Sequence, residues 1–356
     1  MAAQGVAIFS DLSIDNVGAG YTLEAGSAGR TPAVSNPFNI TTSAPSALAF
    51  TVQPSNVLAG ASIAPPVEVT VLDSLGNRIQ GDTSTVTISL GANPGGSTLG
   101  GTLVVSAVDG VATFPDLSLD QARAGYTLVA SATGVASVSS APFAVSPGVA
   151  VGFAFAVQPT STEAGMVIVP AVEVSVVDAF GNTVTTSSEA IDISIGTNPA
   201  GGILNGTTTV VAVQGVAIFS DLSIESAGRG YTLEAGNAGR TPVTSNSFDV
   251  TPGSPVAVKF LVQPSTTEDD DVITPAVEVG VMDSFGNLVD TATTSITMSI
   301  GSNPGASTLS GTTTQPAVNG VAVFPDLSLD NEGNAYRLAA DAPGLVGAVS
   351  KPFRIK

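Results

Sequence analysis

The chain has 356 residues, 43% of them apolar and 11% charged, with a net charge of −19. That apolar content excludes an intrinsically disordered polymer, and a strongly acidic balance without a basic stripe argues against nucleic acid and anionic membrane surfaces as partners. The absence of both Cys and His excludes disulfides, thiol catalysis and the usual zinc ligands, which leaves oxygen donors and therefore calcium or magnesium.

The chain opens on "MAAQGVAIFSDLSID", and "VAVQGVAIFSDLSIE" recurs from Val211 to Glu225. The phrase "GVA(I/T/V)F(S/P)DLS" begins at Gly5, Gly110, Gly215 and Gly320, a period of 105 residues. That period is the size of a domain, and no insertion or deletion disturbs it. Residues 1 to 40 match residues 211 to 250 at 28 of 40 positions but match residues 106 to 145 at only 19, so a two-unit block has been duplicated. Growth of this kind adds length without altering a site, as a spacer requires.

Taken in chain order, each unit starts near "ALAFTVQPS" (Ala47), "GFAFAVQPT" (Gly152) or "AVKFLVQPS" (Ala257). Next comes a strand pattern: "PVEVTVLD" sets Val67, Val69 and Val71 on one face and Glu68 and Thr70 on the other. The turns "DSLGN", "DAFGN" and "DSFGN" follow, in which Asp73, Asp178 and Asp283 cap local backbone and Gly-Asn tolerates positive φ. "TVTISL" is a second alternating strand, with Val86, Ile88 and Leu90 on one face, and Ile296, Met298 and Ile300 repeat it. Phe9, Phe114, Phe219 and Phe324 follow and are expected in cores. Tyr21, Tyr126, Tyr231 and Tyr336 close the series. Short strands separated by Gly/Pro/Asn clusters, with no helical period, predict an all-β sandwich.

A Tyr a few residues past "DLS" and ahead of alternating Leu and Ala resembles the tyrosine corner of immunoglobulin-like sandwiches, whose hydroxyl bonds back to the main chain. Tyr126, Tyr231 and Tyr336 are assigned that structural role. On "VEVTVLDSLGNRI", "TSTVTISL" and "DGVATFPDLSLDQARAGYTLVASATG", the chain resembles the bacterial immunoglobulin-like repeats of large surface adhesins, including the invasin and intimin type. That resemblance implies tandem immunoglobulin-like β-sandwich domains arranged as an elongated rod, at the cell surface or outside the cell, displaying other modules. It sets the boundaries at 1–45 (a partial domain), 46–150, 151–254 and 255–356. The connectors "TTSAPS", "SPGVA" and "TPGSP" are short and Pro-rich, hence stiff.

Residues 1–45 correspond to only the last three strands of a unit. One expectation is that Met1 is an internal boundary of a longer repeat protein. The other is that the half-domain keeps unpaired strand edges for another chain to complete, as in fibres built by strand donation.

The chain has no apolar run near the roughly 18 residues that span a bilayer. Nor does its opening segment read as a signal peptide or lipidation site, so an exported chain would take its signal from outside these residues. In the third full unit "STTEDDDVI" replaces the Ala-Gly of its relatives. Glu268, Asp269, Asp270 and Asp271 form a candidate calcium site near a domain end, against the plainer reading of a solvated acidic turn. Asn39 and Asn205 lie in chance-level glycosylation sequons, and the acid pair Asp116 and Asp120 recurs on surface turns rather than in one cleft. No catalytic constellation is present. The leading expectation is an extracellular stalk whose partners are neighbouring repeats, with self-association into fibres as a variant; a module whose loops bind a glycan or host protein is the competing one.

Overall fold

The structure, a computed structural model, describes residues 2–356, and its regular elements are β-strands throughout. Among the described residues no helix is long and apolar enough to cross a membrane. The chain divides into two compact units, Met1–Ala150 with Val177–Val184, and Val151–Val176 with Thr185–Lys356.

The first unit contains one complete immunoglobulin-like sandwich. Strand Val67–Leu72 lies between Ala47–Val52 and Val111–Phe114 in one antiparallel sheet. Facing it, Thr85–Leu90 lies between Val104–Ser106 and Leu128–Ala132, and Val135–Ser139 completes that sheet. After Val52 the first strand leaves its sheet. Its continuation, Val57–Leu58, runs parallel to Phe143–Ser146, which also pairs with Arg123–Tyr126. A chain that crosses from one layer to the other in this way, under Greek-key connections, is the immunoglobulin arrangement.

The two-residue alternation builds the core. Val67, Val69 and Val71 are each 0% exposed and face Val86, Ile88, Leu128 and Ala130 from the other layer, with Phe114, Leu117 and Tyr126 filling the space between. Burying each large apolar side chain contributes about 1.5–3 kcal/mol, and a cluster of this size is what lets a sandwich fold without disulfides.

The same unit contains the partial repeat. Gly18–Tyr21 pairs with Phe38–Ile40, and Glu24–Ala25 pairs with Ala33–Val34. The third strand expected here does not form; among the described residues before Gly18 the one β-pairing is the isolated bridge Ala3↔Val6. The expectation that Phe9 is a core residue is corrected with it. Phe9 is 63% exposed, against 0% for Phe114, 1% for Phe219 and 0% for Phe324. In the other repeats this strand pairs with a Val-Glu-Val strand, and among the described residues no strand pairs with its opening copy.

The second unit holds the last repeat and, apart from its Val177–Val184 turn, the one before it, in the same register, with Val172 opposite Phe219 and Val277 opposite Phe324. In the last repeat, Val277, Val279 and Val281 pack with Ile296, Met298, Phe324, Tyr336 and Phe353 in a single core.

Candidate functional site

Where repeats meet, the turn between the two alternating strands makes the contact. In the last repeat, Asp283 Oδ1 accepts hydrogen bonds from the backbone N–H of Phe285 and Asn287, both at 2.9 Å, which closes the turn. Gly286 takes the positive φ, at 80°, that the turn requires. Asp283 Oδ2 accepts from Asn287 Nδ2 at 2.8 Å and from the connector Gly253 N–H at 2.9 Å. Asn287 then reaches across: its Nδ2 donates to Glu225 O at 2.7 Å, and its Oδ1 accepts from Ala227 N–H at 2.9 Å. One Asp–Asn pair therefore holds the turn, the connector and the preceding repeat together.

The first unit repeats the device twice. Asp178 accepts from Phe180 N–H, from Asn182 and from Gly148 N–H at 2.7 Å, while Asn182 donates to Asp120 O and accepts from Ala122 N–H, both at 2.8 Å. Asp73 accepts from Leu75, Asn77 and, at 3.4 Å, Ser43, and Asn77 donates to Asp15 O at 2.8 Å. The three aspartates are each 3% exposed. Burial pushes their carboxyls up, but the hydrogen bonds from the partner Asn, the turn amides and the connector amide outweigh it, so each is held below the usual carboxylate range.

The tyrosines stand directly behind this contact. Tyr126 Oη donates to Gln121 O at 2.8 Å, Tyr231 Oη to Ser226 O at 2.9 Å and Tyr336 Oη to Asn331 O at 2.9 Å. Gln121 lies between Asp120 and Ala122, the residues that Asn182 grips; Ser226 lies between Glu225 and Ala227, which Asn287 grips. Tyr21 holds Asn16 O at 3.1 Å beside Asp15 in the same way. Burial pushes the Tyr126 and Tyr231 phenols up, which keeps them as donors. Gly95 and Gly305 leave room for the hydroxyls, since a Cβ on either would overlap the Tyr126 or Tyr336 oxygen.

An apolar contact completes two of the junctions. The Phe180 ring lies over Gly60 (φ 77°) and the Phe285 ring over Gly165 (φ 76°), so close that a Cβ on either glycine would overlap the ring. The equivalent Leu75 is 62% exposed.

The four acidic residues of the last repeat are not brought together. Glu268 pairs loosely with Lys356 at 3.8 Å, the Asp269 and Asp270 amides bond Lys356 O and Leu329 O, and all four side chains are exposed. Among the described residues no group of three or more carboxylates is placed to hold a metal ion. The Asp116 and Asp120 carboxylates bond within their own repeat, Asp116 accepting from Thr102 and Asp120 from Ser97 and Thr98. Sequence reasoning found Asp73, Asp178 and Asp283 as turn caps but missed their second oxygens, and it missed the asparagines' reach and the ring on glycine. Phe180 and Phe285 at the same place in "DAFGN" and "DSFGN" were the available signal.

No family model matches the chain, and no curated protein matches it. Solved structures align with it at low identity. The Escherichia coli adhesin FdeC does so over 87% of this chain and 96% of its own, at 18% identity and a TM-score of 0.36. A variant of titin domains I67–I69 aligns over 88% of this chain and 99% of its own, at 16% identity and a TM-score of 0.26. Immunoglobulin domains 1–5 of Sidekick-1 align over 97% of this chain and 67% of their own, at 14% identity and a TM-score of 0.24.

Proposed function

We propose that this chain is the repeat region of an extracellular, bacterial adhesin-like surface protein, acting as a stalk that carries other modules away from the cell. The observation that carries this reading is the repeated Asp–Asn clasp. Residues at one spacing tie connector, turn and preceding repeat together at Asp73/Asn77, Asp178/Asn182 and Asp283/Asn287. A connector fixed by buried hydrogen bonds transmits position from one domain to the next, whereas a free linker does not. The test is to delete or duplicate residues 151–254 with their connector and measure the maximum dimension by solution scattering, with a glycan array run alongside. The expected result is a step of roughly 40 Å per repeat, from strand lengths, and a blank array. An unchanged dimension, or a glycan bound by loops of one repeat, overturns the stalk.

A second reading has its own observation. Residues 4–14 and 214–224 are identical, "QGVAIFSDLSI". In the second copy Phe219 and Leu222 are buried, whereas their counterparts Phe9 and Leu12 are exposed beside a groove of about 450 Å³ lined by Phe9, Leu12, Leu23, Ala25 and Val34. Such an edge suits completion by strands from another chain, giving fibres. Hydrogen exchange of residues 4–14 across rising concentration tests it. Protection that appears together with oligomers supports fibre assembly, and free exchange in a monodisperse sample at every concentration rules it out.

A further inference from the structure

The loop that receives the ring has one backbone and two kinds of side chain. Ala59 N–H bonds Ser146 O and Gly60 N–H bonds Leu119 O; Ala164 and Gly165 bond Thr251 O and Ile224 O; Asp269 and Asp270 bond Lys356 O and Leu329 O. These are equivalent positions 105 residues apart, and all three loops have positive φ at the second residue, 77°, 76° and 59°. The target for an incoming Asn is also kept in the last repeat, where Tyr336 bonds Asn331 O as Tyr126 and Tyr231 bond their own carbonyls. What changes is the socket. Gly60 and Gly165 lie under a phenyl ring with no room for a Cβ, whereas the equivalent residue of the last repeat, Asp270, carries a carboxylate and is flanked in sequence by Asp269 and Asp271.

We propose that the glycine socket is the selectivity element of the junction: faces with Gly60 or Gly165 accept a repeat bearing a Phe-Gly-Asn turn, and the face bearing Asp270 refuses one. Two effects exclude the ring. The Asp side chain occupies the ring's volume, and desolvating a carboxylate under an apolar ring is unfavourable. The incoming turn also brings its own ionised aspartate, in the role of Asp283, towards a face that is already acidic. The inference deepens the stalk reading, in which repeats are one another's partners, by assigning which surfaces can be partners. It stands on contact geometry alone, so a failure of the stalk reading in the scattering or glycan experiment leaves it intact.

The test extends the whole chain past Lys356 with a second copy of residues 252–356, which continues the 105-residue register because Lys356 stands where Thr251 stands. One version keeps Asp269 and Asp270, and the other carries Asp269→Ala and Asp270→Gly. The readout is hydrogen exchange of the added connector glycine, the counterpart of Gly253. With the aspartates that amide is expected to exchange as in a free linker; with Ala-Gly it is expected to slow by about tenfold or more, as local closure dictates. Equal exchange in the two versions, whether fast or slow, overturns the proposal. The reciprocal variant, Gly165→Asp in the natural chain, is expected to speed Gly253 exchange while the core amide of Val174 stays protected. Asp270 shows that this backbone tolerates the substitution. A Gly253 amide that stays slow in Gly165→Asp overturns the proposal as well.

Discussion

Replacing Phe219 by alanine will destabilise its repeat by about 3–5 kcal/mol, the usual cost of removing a buried Phe and leaving a cavity. The same replacement at Phe9 will change stability by less than about 0.5 kcal/mol, as surface substitutions do. The two residues occupy the same place in an identical stretch of eleven residues, 4–14 and 214–224. Local propensity is therefore the same at both, and the difference lies in tertiary partners. Phe219 is 1% exposed and sits opposite Val172, while Phe9 is 63% exposed with no strand opposite it among the described residues. Hydrogen exchange of core amides in each repeat, read in increasing denaturant, separates the two effects because it reports stability repeat by repeat. Equal losses in the two variants would mean that the opening copy has a core after all.

This pair also shows what could be read in the sequence. The Val67/Val69/Val71 and Ile296/Met298 faces were legible because period-two alternation is a local signal and these strands lie between two layers. Tyr126, Tyr231 and Tyr336 could be placed for a similar reason: each bonds a carbonyl five residues back, within the span of one motif. Burial of the "GVAIF" strand was not legible, because it depends on a strand supplied from elsewhere, present for one copy and absent for the other. The clasp was hidden by distance. Asn182 and Asn287 grip residues 60 and 62 positions earlier in the chain, across a repeat boundary, and nothing in "GN" itself points there. At "EDDD" the informative change was the loss of a glycine from under a ring, not the gain of carboxylates; a missing glycine means something only once its neighbour is known.

Replacing Asp283 by alanine will open the junction between the two repeats of the second unit while leaving their cores folded. Four hydrogen bonds converge on this carboxylate, from Phe285 N–H, Asn287 N–H, Asn287 Nδ2 and Gly253 N–H. Removing the acceptor leaves these donors unmatched in a place where the aspartate is 3% exposed, which costs about 2–4 kcal/mol of junction stability. Acid will do the same to the natural chain. Burial raises the Asp283 carboxyl and the bonds from Asn287, Gly253 and Phe285 lower it further, so the folded pKa lies below the unfolded one. The stability this linkage supplies is complete above the unfolded carboxylate pKa and is lost as pH falls through the folded value. Asp178 and Asp73 shift in the same direction, so acid weakens all three clasps. The Asp116, Asp221 and Asp326 carboxylates, lowered by the backbone and hydroxyl of Thr102, Thr207 and Thr312, carry the same sign of pH dependence within each repeat. The core clusters are apolar and carry no such dependence. Exchange of the Gly253 amide, corrected for its intrinsic pH dependence, is expected to rise as pH falls below the ordinary carboxylate range, as carboxylate linkage dictates, ahead of any loss at Val279. Asp283→Asn separates charge from shape. It keeps one acceptor oxygen, turns an NH2 group towards the Gly253 and Asn287 donors, and has no proton to gain. Its Gly253 amide is therefore expected to exchange at neutral pH as the natural chain does in acid, and to stay flat as pH falls. A variant that matched the natural chain at neutral pH would place the hold on the connector somewhere other than the carboxylate.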